Sequence, residues 1–247
     1  MSKHLHRDLD NLHQKLLAMA SLVEHALHHA TQALQDRNLE LAREAIVAEE
    51  QIDKEETEIE DQCHKILALH APVAVDLRTI LVALKINTEL ERMGDLAEDI
   101  AKRSISLEQL PDIPVPRELQ KMTDLAATMV RQSLDAFVNR ETSLARRVCR
   151  LDDQVDDYNR EIKAEMVRIM ETTPSLVAAA LCIYSTSKHL ERIADHATNI
   201  AEDVIYLMEG EIVRHRLASR EPDEDEDSYH YPLDNTQSND DATHTDH

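Results

Sequence analysis

Leu90–Glu91–Arg92–Met93–Gly94–Asp95 and Leu190–Glu191–Arg192–Ile193–Ala194–Asp195 match at four of six positions, with Met93 answered by Ile193 and Gly94 by Ala194. Outward from this hexapeptide the chain keeps repeating. Ile100–Ala101 returns as Ile200–Ala201, Glu49–Glu50–Gln51–Ile52–Asp53 as Asp152–Asp153–Gln154–Val155–Asp156, and Ala42–Arg43 as Ala145–Arg146. The offset is 100 residues around the hexapeptide and 103 in the two earlier segments. The second copy is therefore slightly shorter before its last element. One structural unit occurs in tandem.

The unit is helical. Leu9, Leu12, Leu16, Met19, Val23, Ala26, Ala30 and Ala33 step by three or four, the period of an amphipathic helix over about Asp8 to Gln35. Asp36 or Asn38 can cap the next run, Leu39 to Leu69, whose inward positions are Ala45, Ala48, Ile52, Ile59, Cys63 and Ile66. Pro72 opens a third run to about Leu107, because a proline is tolerated in a first turn. Pro111, Pro114 and Pro116 then forbid any helix between Leu110 and Arg117. Three further runs follow, Arg117–Phe137, Thr142–Glu171 and Pro174–Met208, the last with Thr173 as its cap. The expectation is an all-α fold of two tandem three-helix bundles, six long helices with an internal pseudo-two-fold repeat. Short connections make successive helices antiparallel neighbours. The divisions are 1–110, a linker 111–116, 117–212, and an acidic, disordered tail 213–247, polar and dominated by acid from Glu221 to Asp227.

Composition agrees. Two glycines, no Trp and 2% aromatics leave little for β-hairpins, while 42% hydrophobic residues suffice for an aliphatic core. A net charge of −22 argues against non-specific nucleic-acid binding and against docking on anionic lipid, although ten of the acids lie after Leu217. No apolar run is long enough to span a membrane, and the N-terminus has no apolar signal core. Cys63, Cys149 and Cys182 lie far apart without CxxC spacing, which reads as buried thiols of a cytoplasmic protein.

The repeated acids carry the chemistry. With Leu90 at the centre of an apolar face, Met93, Gly94, Ala97 and Ala101 share that face and Glu91 and Asp95 fall on its shoulder. Glu191 and Asp195 do so in the second copy. Glu49 and Asp53 flank Ile52, and Asp152 and Asp156 flank Val155. Each half thus offers two acid pairs at i, i+4 on helices expected to touch. Acids on helix faces are ordinarily solvated, but four pairs at matched positions of two repeats are not an ordinary surface. Like charges side by side need a cation, a Lys or Arg, or a raised pKa to offset them. All-oxygen donors favour hard or intermediate cations, Mg²⁺, Mn²⁺ and iron ahead of Ca²⁺ and Zn²⁺. Glu56, Glu60, Asp99, Asn199 and Asp203 extend the stripes as further candidates, and His189 and His196 flank the second motif. Arg92 and Arg192 are read as salt-bridge partners, and Gly94 as a close helix contact.

The hexapeptides, together with His196–Ala197–Thr198–Asn199–Ile200–Ala201–Glu202, resemble the paired signatures of the PhoU family over about residues 5–210. That resemblance implies two three-helix bundles and a cytoplasmic, non-catalytic regulator that restrains phosphate uptake and phosphate-starvation signalling. It implies metal binding at Glu/Asp-x-x-x-Asp motifs, here Glu49, Asp53, Glu91, Asp95, Asp152, Asp156, Glu191 and Asp195. It also implies contacts with the ATPase subunit of the phosphate ABC transporter and with a sensor histidine kinase. A homodimer is expected too, with membrane association through partners only. Ala194 departs from the family's usual Gly, and the acidic tail has no counterpart. The alternative is a di-metal carboxylate oxidase or metal-storage bundle, against which stands the missing Glu-x-x-His pattern; a third reading is a purely structural scaffold. No Gly-rich phosphate loop and no Gly-x-Ser-x-Gly occur.

Overall fold

Apolar side chains at helical spacing need a shared interior, and the described residues supply it with six α-helices. The computed structural model describes residues 3–210; the expectation of an acidic, disordered tail concerns residues outside these. The helices are α1 (Lys3–Asp36), α2 (Leu39–His70), α3 (Ala74–Glu108), α4 (Arg117–Asn139), α5 (Thr142–Thr172) and α6 (Val177–Glu209). Among the described residues none is long and apolar enough to cross a membrane. α1, α2 and α3 pack mutually as one three-helix bundle, and α4, α5 and α6 as another.

The turns explain where helices stop. After α1, Arg37 takes a left-handed conformation (φ 51°), and the Asn38 side chain accepts from the amides of Glu40 and Leu41 at 3.0 and 3.5 Å. Arg140, 103 positions later, repeats the left-handed turn after α4 (φ 54°). The Arg37 guanidinium also donates to the carbonyls of Leu107, Leu110 and Pro111 at 2.9, 2.9 and 3.0 Å. It thereby fastens the Pro-bearing connection to the α1–α2 turn. Two expectations at helix starts need correction. Pro72 does not open α3: Ala71 and Ala74 both turn left-handed (φ 42° and 49°), and the helix begins only at Ala74. Thr173 makes no side-chain cap; Pro174 begins a short 3-10 turn, Pro174–Leu176, before α6.

The core is aliphatic, as the composition requires; Phe137 is its one phenylalanine and is almost fully buried. Of the three thiols Cys63 and Cys182 are buried and Cys149 is half-buried, all free. The bundles meet along α3 and α6, which run antiparallel: Lys85 Nζ lies 3.0 Å from Asp203, and Glu89 lies 2.6 Å from His196 Nδ1 and 3.2 Å from Asn199. α1 lies against α4, with the His13 ring edge-on to Phe137 at 5.3 Å between centroids.

The α2–α3 seam is set by the repeat's glycine. A Cβ on Gly94 would stand 3.0 Å from Ile52 Cδ1 and 3.1 Å from Cγ2. The matched pair in the other bundle is Ala194 and Val155, both fully buried. One carbon has moved from one side of the seam to the other, so the summed side-chain size is unchanged.

Candidate metal centres

Because Ile52 and Gly94 take the middle of the α2–α3 seam, the residue three before and the residue directly after each are carried to its solvent edge. Glu49 and Glu91 are half-buried there, and Asp53 and Asp95 are exposed. The four act on one another across the seam. Burial raises the Glu49 carboxyl most; Asp53, with which it can share a proton, then Glu98 and Asp95 raise it further, to about 7. Glu91 is raised by burial, then by Asp95, Glu56 and Asp53. Asp95 is raised by burial, then by Asp53, Glu98 and Asp99. The first cluster therefore brings together all four expected residues, with Glu56, itself raised by burial and Glu60.

The α5–α6 seam holds the second cluster. Asp152, Asp156 and Glu191 are half-buried and Asp195 is exposed. Burial lifts Asp152 first, and Asp195, Asp156 and Asp153 carry it to about 7. Asp156 is raised by burial and then by Glu191 and Asp195, and Asp195 by burial and then by Glu191. The Thr198 hydroxyl beside Asp152 partly offsets that rise, yet its oxygen is buried with no partner at hydrogen-bond geometry.

The clusters are not copies in every residue. Glu56 and Glu98 of the first are matched by Asn159 and Thr198 in the second. Asn159 is buried and accepts from Ser187 at 2.9 Å. Each cluster has one lysine, at opposite ends. Lys102 lies 2.5 Å from Glu98 and also feels Glu49; Lys188 pairs with Glu191. The helical wheel overlooked Glu98, although its place three residues after Asp95, on the same row, was a usable signal. Lys102 follows at the next turn.

Several other candidates lie elsewhere. Asn199, His196 and Asp203 are engaged at the α3–α6 contact, with Glu89 and Lys85. His189 is half-buried and 3.3 Å from the Ser185 hydroxyl. Glu60 acts on Glu56 and Cys63, and Asp99 on Asp95 and Lys102. Arg92 stands 3.9 Å from Glu89 rather than bridging the motif acids directly.

The donor set fits a hard cation. It is all carboxylate and hydroxyl, with repulsion that a positive charge would relieve and, in the second cluster, an orphaned hydroxyl oxygen at its edge. It is not a finished cage: among the described residues no three His, Cys, Asp or Glu side chains are arranged to hold an ion. Binding would require rotamer changes of these side chains, including release of Glu191 from Lys188.

A family model described as PhoU domain matches residues 16–104 and 119–204. A phosphate-specific transport system accessory protein PhoU homolog from Aquifex aeolicus is 39% identical over 212 residues, covering 86% of this chain and 96% of its own. A relative of the same name from Pseudomonas aeruginosa is 36% identical over 229 residues, covering 92% and 95%. Among solved structures, PhoU from Pseudomonas aeruginosa matches with a TM-score of 0.78 and 36% identity over 83% of this chain and 99% of that one. The phosphate transport system regulatory protein PhoU from Streptococcus pneumoniae matches with a TM-score of 0.78 and 30% identity, covering 85% and 99%.

Proposed function

The chain belongs to the PhoU family, and from that premise we propose that it is a metal-binding, non-catalytic adaptor that restrains phosphate uptake and phosphate-starvation signalling. A role in regulating phosphate transport follows the names of its relatives, which are accessory and regulatory proteins of that system. The finer reading couples the ATPase subunit of a phosphate ABC transporter to a sensor histidine kinase on the cytoplasmic side. The protein would work as a homodimer that reaches the membrane through its partners.

The observation that carries the metal-binding part is the pair of carboxylate clusters at matched seams, each with one acid lifted to about 7. Glu49, Asp53, Glu91 and Asp95 would hold ions at the first seam, and Asp152, Asp156, Glu191 and Asp195 at the second. A bound Mg²⁺, Mn²⁺ or iron ion supplies positive charge and open coordination positions. The chain's own contribution is to hold the acids on two rigid helices, with Ile52–Gly94 and Val155–Ala194 fixing the helix spacing beneath them. The ionised carboxylates then present a face whose charge depends on occupancy, which a protein partner can read.

Deletion in the native host tests the regulatory reading: phosphate-responsive genes should stay active in phosphate-rich medium, and the wild-type gene should silence them. Elemental analysis of the purified chain tests the sites. Glu91→Ala/Asp95→Ala and Glu191→Ala/Asp195→Ala should each lose part of the bound metal. Wild-type uptake by both variants removes the site assignment, and silent genes in the deletion strain remove the regulatory one.

A further inference from the structure

The outward face of α1 carries His25, His28 and His29, within Glu24–His25–Ala26–Leu27–His28–His29. His25 and His29 are four residues apart, so they stand one above the other on the helix surface. Ala26, Leu27 and Ala30 are fully buried and fix the rotation of the helix, which leaves His25 exposed and His29 half-buried. The two rings meet edge to face, with centroids 5.9 Å apart. Packing does not ask for this set. At the matched positions of the second bundle, 103 residues on, His25 and His29 are answered by Thr128 and Gln132.

Two imidazoles at i, i+4 on one helix face are the protein's half of a familiar zinc-binding arrangement. A metal–nitrogen distance of about 2.1 Å puts the two ring nitrogens about 3.4 Å apart around a tetrahedral ion. Rings at the present separation reach that by turning about χ1 and χ2. A separate observation comes from α2, where Glu44 Oε2 lies 3.3 Å from His29 Nδ1. A carboxylate there draws the ring proton to Nδ1 and leaves the Nε2 lone pair for an ion, as the outer carboxylate of a metal-bound histidine does. The matched residue in the second bundle is Arg147, of opposite charge. The charges around the pair suit a cation. Glu24 and Glu44 flank it, and Arg131, which lines a recess with His25, His28 and Glu24, is tied by Glu24 at 3.1 and 3.3 Å.

We propose that His25 and His29 are the two protein ligands of a site for a borderline divalent cation, Zn²⁺ or Cu²⁺, with Glu44 orienting His29 and water filling the open positions. Nitrogen donors set it apart from the all-oxygen seams, because imidazole suits these ions and carboxylate suits the hard ones. With two protein ligands rather than a closed cage, the ion exchanges with solvent. The site draws on neither the carboxylate clusters nor the regulatory role, and its failure leaves both standing.

The test titrates Zn²⁺ into the full chain by calorimetry, in excess Mg²⁺ so that hard-ion sites are already filled. His25→Ala and His29→Ala should each remove a Zn²⁺ equivalent that wild type takes up, and His28→Ala should bind as wild type. Glu44→Gln should weaken that equivalent about tenfold or more, the usual cost of losing an outer carboxylate. All four keep the seams and the histidines after residue 210, so the differences report this pair. The metal-free variants should melt as wild type, since neither ring lies in the core. With Cu²⁺ as probe, electron paramagnetic resonance should show coupling to two imidazole nitrogens in wild type and lose it in His25→Ala/His29→Ala. Equal Zn²⁺ uptake by wild type and His25→Ala/His29→Ala overturns the site. Loss of the equivalent in His28→Ala, with His29→Ala unchanged, overturns the assignment of its ligands. Wild-type affinity in Glu44→Gln removes Glu44 from it.

Discussion

Replacing Asp152 with Asn should make the cation-free protein more stable at pH 8. The Asp152 carboxyl is lifted from 3.8 to about 7 by burial and by Asp195, Asp156 and Asp153. In the unfolded chain the same group ionises near its ordinary value. Below about pH 4 both states hold the proton and nothing is lost. Between about 4 and 7 the unfolded state releases its proton while the folded state keeps it, so stability falls as pH rises, and above about 7 the loss is constant. At 1.36 kcal/mol per pH unit the displacement is worth about 4 kcal/mol at most. Solvent screening of a partly exposed group brings this to about 2 kcal/mol. Asp152→Asn keeps the shape and removes the charge, so in EDTA at pH 8 its melting temperature should lie about 4–8 °C above wild type, by the scaling for domains of this size. At pH 4.5 the gap should shrink to about a quarter, since the unfolded carboxyl has begun to ionise there. Added Mn²⁺ should stabilise wild type by mass action and the variant less, narrowing or reversing the order. Thermal melts by circular dichroism at both pH values, with EDTA and with Mn²⁺, decide it. A variant that melts no higher than wild type in EDTA at pH 8 would refute the claim that the second cluster stores repulsion.

Gly94→Ala alone gains about 1 kcal/mol of helix propensity but crowds Ile52 at 3.0 Å, so its net effect should be small or unfavourable. Gly94→Ala/Ile52→Val recreates the other bundle's pair and should melt above the single variant, the double-mutant cycle giving a favourable coupling of about 1 kcal/mol. Ala71→Gly removes a left-handed alanine (φ 42°) and should raise stability by about 0.5–1 kcal/mol after the added freedom of the unfolded chain, read in urea melts. Arg37→Ala strips three hydrogen bonds to the carbonyls of Leu107, Leu110 and Pro111. It should cost about 2 kcal/mol and speed proteolysis in the 107–116 connection.

Helix number and helix ends were legible wherever a residue type forces a stop. Asn38 caps α2 and the prolines at 111–116 end α3, because one residue or dipeptide decides the outcome. The turns at Pro72 and Thr173 were not legible. A proline fixes its own φ but leaves open whether its neighbours wind into α-helix, 3-10 turn or left-handed residues, and that depends on how the next helix must land. The eight motif acids could be placed because Ile52, Leu90, Val155 and Leu190 define the faces from which they are offset. Asn199, His196 and Asp203 share those helices yet serve the α3–α6 contact. A helical wheel gives a residue's angle, not which neighbour stands at that angle, and here one side of α6 faces α5 while another faces a helix some hundred residues away.

Comparing the bundles within one chain separates what packing needs from what charge is for. At the seam, Ile52 with Gly94 has become Val155 with Ala194, an exchange that preserves volume and leaves both contacts buried. Volume-conserving swaps of this kind cost little, so two copies can drift apart in them freely. Immediately above, carboxylates stand at all four matched positions in both bundles, although burial and neighbouring acids raise Glu49, Glu91 and Asp95 in the first and Asp152, Asp156 and Asp195 in the second. A fold needing only solubility could place those acids on the outer faces of α2 and α5, where nothing desolvates them. The outer acids of the first cluster, Glu56 and Glu98, do give way to Asn159 and Thr198 in the second, leaving a less acidic and more hydroxyl-bearing edge. The central quartet is therefore the part whose charge folding stability does not explain, and a cation is the simplest agent that would turn its repulsion into attraction.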